Sequence, residues 1–178
     1  MAKAGLDTKG KPRVPLLSTT RVWLRIWPND LDFNLHVNNG RYLTLADIGR
    51  MHWFARTGMW AVAREEKAFP VVGDAIAKFR REVRGFQKFC VESRMLGWDH
   101  RWGFLEHRFV REGRVVGVVA IRGVFKGPAG AVEPRVLLAK LGVNVESPPL
   151  PEWIVDWSRG CDAMSQLLRE EEQARGLR

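Results

Sequence analysis

Asp32, Asn34 and His36 occupy alternate positions in the stretch NDLDFNLHVNN (residues 29–39), where two acids, four amides and a histidine are interleaved with Leu31, Phe33, Leu35 and Val37. Side chains alternate faces along an extended backbone. An extended segment here groups the carboxylate, amide and imidazole on one side and Leu31, Phe33 and Leu35 on the other. A carboxylate so placed is able to act as general base on water or to attack a carbonyl itself, with the amide and imidazole orienting the base or the water.

The residues just downstream predict a helix, whose first turn offers unpaired N–H groups and the positive end of a dipole. Asn39 and Gly40 lie where those donors would meet a developing oxyanion. A thioester suits such a site, because a thiolate leaving group (thiol pKa about 8.5) needs less acid assistance than an alkoxide or an amine. Asp30 reads as a structural acid stabilised by the helix dipole, and Asn38 and Asn39 read as caps. Asp47 falls in the second turn of a largely apolar helix, three residues from Arg50, so it is either ion-paired or a secondary, substrate-binding part of the site. Lys78, Arg80 and Arg84 share one face of a predicted strand, a basic stripe that is either a solvated face or a contact for phosphate or an acidic carrier surface.

Several elements must position these residues. TTRVWLRIW (19–27) reads as a strand ending at Pro28, and RYLTLADIGRMHWFART (41–57) as a helix stopped by Gly58 and buried on nearly every side; a short helix over 59–67 follows. Four strand-like runs come next, at 71–83, 87–98, 102–111 and 114–125, and the short turns between them imply an antiparallel meander. VVGVVAI (115–121) is apolar on both faces and predicts a central strand. A brief apolar segment (136–141), the link SPPLPE and a helical tail from Glu152 complete the chain. The expected division is a flexible arm (1–18), a main domain (19–127) and a C-terminal extension (128–178) packed on it. One strand, a long buried helix and then a meander is the order of an α+β hotdog fold, a curved antiparallel sheet wrapped around a central helix.

The chain has 178 residues, 46% of them hydrophobic, with 8 Trp and 9 Phe, enough for one aromatic-rich core. Cys90 and Cys161 lack metal-ligand spacing, so neither disulfide, metal nor cofactor is expected. No uncharged run approaches a membrane span and no signal-like apolar segment opens the chain, which predicts a cytoplasmic protein. The net charge of +9 suggests an anionic partner, but no nucleic-acid motif accompanies it.

The NDLDFNLHVNNGRYL stretch resembles the motif of hotdog-fold acyl thioesterases, and its Asp-x-Asn-x-His-Val-Asn-Asn core is similar to that of plant acyl-ACP thioesterases. It is similar also to 4-hydroxybenzoyl-CoA thioesterases, whose catalytic aspartate falls on Asp32. A wider resemblance, over about residues 23–169, is to thioesterase superfamily member six and its bacterial relatives. It rests on DLDFNLHVNNGRYLTLADIGR, RMLGWDHRWGFLEHRFVREG and PPLPEWIVDW, in that order. Where many hotdog thioesterases carry glycine before the histidine, this chain has Leu35.

The resemblance implies a thioester hydrolase acting on acyl-CoA or acyl-ACP in fatty acid metabolism, with Asp32, Asn34 and His36 catalytic; the residue pattern itself adds Asn39, Gly40, Asp47, Arg80 and Arg84 as candidates around the substrate. It implies a homodimer or homotetramer with the acyl site at the subunit interface. The alternative from another class is a non-catalytic acyl-CoA or lipid binder. A hotdog hydratase is disfavoured because DFNLHVNN lacks that motif's spacing and following acid.

Overall fold

A computed structural model describes residues 12–177. Strand β1 (Thr20–Arg25) is followed by a single 3-10 turn at Pro28–Asp30, helix α1 (Asn39–Thr57) and helix α2 (Met59–Glu65). Strands β2 (Phe69–Phe79), β3 (Lys88–Trp98), β4 (Gly103–Arg111), β5 (Arg114–Gly127) and β6 (Gly130–Val132) come next, then α3 (Pro134–Lys140) and α4 (Glu152–Ala174). The sheet runs β1-β3-β4-β5-β2, antiparallel at every step, with β6 also on β5. The predicted 71–83 strand begins earlier, at Phe69, and stops at Phe79. There the N–H groups of Arg80 and Arg81 both turn to the Val116 carbonyl (2.9 and 3.0 Å) and the ladder ends.

Helix α1 lies on one face of the sheet. Asn38 caps its start, and Gly58, at φ +85°, stops it in the left-handed conformation that glycine adopts without steric cost. Tyr42, Leu45, Ala46, Trp53 and Phe54 are buried in one cluster with Phe89, Val91, Phe109, Val119 and Ile121 of the strands. The helix is less enclosed than its composition predicts: Leu43, Thr44 and Asp47 are exposed. Gly49 lets α1 approach the sheet closely, since a β-carbon there would lie 2.4 Å from Ser93 Oγ and 2.8 Å from Val91 Cγ1.

Under this contact Ser93 Oγ and His107 Nδ1 share a 2.8 Å hydrogen bond, both residues fully buried. Burial, and secondarily the Arg50 charge, lower the His107 pKa to about 3, so the imidazole is neutral. The unfolded chain takes up this proton near pH 6.5 and the folded one does not, so stability present above pH 6.5 is lost as pH falls towards 3. His107→Gln should therefore flatten the acid limb of the stability curve by up to about tenfold in the folding constant per pH unit, read by urea titrations at pH 4–7.

The other face is covered by α4. Ile154 packs with Leu96, Trp102, Phe104, Ala120 and Val124. Arg122, 1% exposed, donates to Asp74 (2.6 Å), Asp162 (2.7 Å) and the Ser158 hydroxyl (3.0 Å), and lies 4.5 Å over the Trp102 ring. This buried cation is thereby compensated on three sides. Covering both faces explains the doubly apolar β5: Val119 and Ile121 face α1, whereas Ala120 and Val124 face α4. β5 is an interior strand, paired with β4 on one edge and β2 on the other.

Of the predicted arm 1–18, residues 1–11 lie outside the described residues. Within the remainder Leu16 is buried in the α1 cluster and Val14 N–H donates to the Arg56 carbonyl (2.9 Å). No described helix is long and apolar enough to cross a membrane.

Candidate functional site

Between β1 and α1 the chain does not run extended. Leu31 and Val37 form a bridge, Asp32 N–H donates to the His36 carbonyl (2.9 Å), and Leu35 N–H returns to the Asp32 carbonyl (3.0 Å). Residues 31–37 are thus a tight hairpin with Phe33, Asn34 and Leu35 at its tip. The expected apolar face of Leu31, Phe33 and Leu35 is corrected: Leu31 and Val37 turn towards the core, while Phe33 is 92% and Leu35 69% exposed. Asp32 and His36 still come to one side, as opposed partners across a hairpin rather than neighbours along a strand.

The tip closes on a local device. Asp32 Oδ1 accepts the Asn34 N–H at 2.9 Å, an Asx turn, and Leu35 takes φ +59°. A leucine in the left-handed region costs about 1–2 kcal/mol, which explains why glycine fits this position in the motif. With no core contact to lose, Leu35→Gly should raise stability by up to about 1 kcal/mol after its larger unfolded-state entropy is deducted, measurable by urea unfolding.

Asp30 is the structural acid. It is buried, its Oδ2 accepts the Trp27 N–H (2.8 Å), and its Oδ1 accepts from Arg41 Nε (2.9 Å) and Nη2 (2.6 Å). Asp32, by contrast, is half-buried, and its Oδ2 accepts no hydrogen bond from the described residues.

Asp32, Asn34, His36, Asn39, Tyr42 and Arg80 line one open groove of about 370 Å³. Glu82, which the sequence reading passed over, lines it too and stands 2.6 Å from His36 Nε2. Its other oxygen is held by Arg84 Nη2 (2.8 Å) and Nε (3.0 Å), so an Arg84–Glu82–His36 chain orients the imidazole. The signal available in sequence was a lone acid within KFRREVR.

Two expectations change, and for Asp47 one of two alternatives is the one observed. The Gly40 N–H is taken up by Asn38 Oδ1 (2.9 Å), which leaves the Asn39 N–H as the first-turn donor beside the groove. Arg84 faces Glu82 rather than sharing a strand face with Arg80, because β2 has already ended. Asp47 lies outside the groove and pairs with Arg50 Nη2 at 2.8 Å. Among the described residues no cluster of His, Cys, Asp or Glu could hold a metal ion.

A second hollow, apolar and only partly open, lies about 20 Å along α1, beside Trp53 and Phe54. It is bounded at the sheet edge by Pro70, Val71 and Val72.

The chain matches the Thioesterase-like superfamily over residues 26–158. It is 33% identical over 148 residues to Protein THEM6 of Xenopus laevis, covering 82% of this chain and 70% of that one. Among solved structures it is similar to YbaW, a probable thioesterase from Escherichia coli, with TM-score 0.64, 20% identity and coverage of 69% of this chain and 96% of that one. It is also similar to a mutant of 4-hydroxybenzoyl-CoA thioesterase complexed with 4-hydroxybenzoyl-CoA, with TM-score 0.60, 16% identity and coverage of 69% and 97%. A helix wrapped by an antiparallel sheet is thus shared architecture, and the chain belongs to the thioesterase-like superfamily, with its hotdog fold.

Proposed function

We propose that this protein hydrolyses an acyl thioester, presented on CoA or on an acyl carrier protein, to a free acid and a thiol. The observation that carries this reading is the Asp32 carboxylate: one oxygen holds the hairpin, and the other is unengaged in an open groove beside the positive end of α1. Asp32 acts as base on water or as nucleophile, the Asn39 N–H stabilises the oxyanion, and His36, held by Glu82, orients water with Asn34. Arg80 on the rim, with Arg81, offers cations to the phosphates of CoA or an acidic carrier surface. The reaction suits a cytoplasmic setting in fatty acid metabolism.

The site is completed in a dimer. β2 is an eleven-residue edge strand that exposes Phe69, Val72, Ile76 and Phe79, a surface that invites pairing. Antiparallel pairing with a second copy about a two-fold sets the Phe79 end of one β2 by the Phe69 end of the other. Each Asp32 groove then opens towards the apolar hollow of the other copy, which gives the acyl chain a route.

The reading is tested by thiol release from acyl-CoAs of graded length, an aromatic acyl-CoA and an acyl carrier protein thioester. Turnover on none of them, together with saturable acyl-CoA binding, would instead support the non-catalytic acyl-CoA binder.

A further inference from the structure

Among the described residues Arg50 is the sole charged side chain lining the partly open hollow; its other walls are apolar side chains and glycine, among them Trp53, Phe54, Met59, Leu105, Ile121 and Phe125. The residue is 9% exposed. Its Nη2 faces Asp47 at 2.8 Å, whereas its Nε is buried with no hydrogen-bond partner among the described residues. A guanidinium brought to an apolar cavity and left short of acceptors is costly unless something else supplies an oxygen. The hollow, of about 50 Å³, has room for about three or four water-sized groups, the last few atoms of a chain rather than a whole one.

The sign and number of charges narrow the oxygen further. Asp47 already pairs with Arg50, and no other cation among the described residues lines the hollow. A carboxylate would have to share that one guanidinium with Asp47, whose half-exposed side chain already holds its Nη2. A neutral oxygen is free of that penalty.

We propose that the hollow selects acyl groups carrying a hydroxyl or keto oxygen near their distal end, with Arg50 as the specificity residue that donates to it. The proposal rests on the thioester reading for the source of the acyl group, but not on cleavage. A donor in a largely apolar pocket discriminates against a ligand lacking the acceptor, because its own hydrogen bond is then unmade.

The test uses non-cleavable CoA thioethers in matched sets, a hexyl chain, its 5-oxo counterpart and a 5-carboxypentyl chain, titrated calorimetrically into the full-length protein. The 5-oxo ligand should bind wild type about tenfold to a hundredfold more tightly than hexyl, the range of one hydrogen bond to a charged donor. It should also bind more tightly than the carboxylate. Arg50→Met, which keeps the stem length and removes the charge, should abolish the difference. Equal affinity for the three ligands in wild type, no binding of any, or a preference for the carboxylate overturns the proposal, and none of these readings depends on the variant folding. A 5-oxo preference that vanishes in Arg50→Met, in a protein that cleaves neither acyl-CoA nor an acyl carrier protein thioester, would support Arg50 recognition and refute hydrolysis.

Discussion

Asp32→Asn is expected to lower thioester hydrolysis by about 10²- to 10⁴-fold in kcat, the contribution of a positioned base, with little change in stability. The two parts of this expectation come from the two oxygens. Oδ1 serves the fold by accepting the Asn34 N–H, and an asparagine carbonyl oxygen in the same place accepts it equally. Oδ2 accepts no hydrogen bond from the described residues on a side chain that lines the groove, and asparagine replaces that basic oxygen with an amide that cannot take a proton at neutral pH. Steady-state thiol release on the best substrate of the panel, beside urea unfolding of the same preparation, checks both. Undiminished turnover would remove Asp32 from the mechanism. A large stability loss would mean that the carboxylate is structural.

Two residues upstream, Asp30→Ala should do the reverse, removing about 2–4 kcal/mol of stability. Asp30 is buried and satisfies the Trp27 N–H and the Arg41 guanidinium together, tying the end of β1 to the first turn of α1. Truncation orphans both donors. The figure lies below the 3–5 kcal/mol of a fully buried pair because the Arg41 side chain is 36% exposed, and water takes up part of its charge. The midpoint of a urea transition is the measurement; a shift equivalent to less than about 1 kcal/mol would show that the pair is replaceable by solvent.

The DLD pair shows how far sequence carries. Its two carboxylates are separable in the sequence into a structural acid and a candidate base, since only Asp32 falls on the motif's aspartate. Most strand limits were legible for a similar reason: alternation and turn residues such as Glu112-Gly113 are local signals. The end of β2 was not, because Arg80 and Arg81 leave the ladder only when the Val116 carbonyl, over thirty residues away, takes both N–H groups. Asp47 was legible as one of two alternatives, and the ion pair with Arg50 is the one observed.

The tip of the hairpin was misread for a physical reason. Period-two alternation assumes an extended backbone, and the Asx turn at Asp32 with the left-handed Leu35 breaks that assumption within three residues. Glu82 was missed because its partner, His36, lies 46 positions upstream and no local pattern joins them.

What the sequence by itself determined is the order of elements, the doubly buried β5 and the residue types gathered at the head of α1, all properties of near-neighbour patterning. Tertiary structure alone decided which carboxylate oxygen is unengaged, which backbone N–H remains open at the helix start, that Glu82 holds His36, and that Arg50 stands in an apolar hollow. Each of these depends on a donor or acceptor contributed from a distant part of the chain, or on its absence, and satisfaction of polar groups is settled only when the chain has closed on itself.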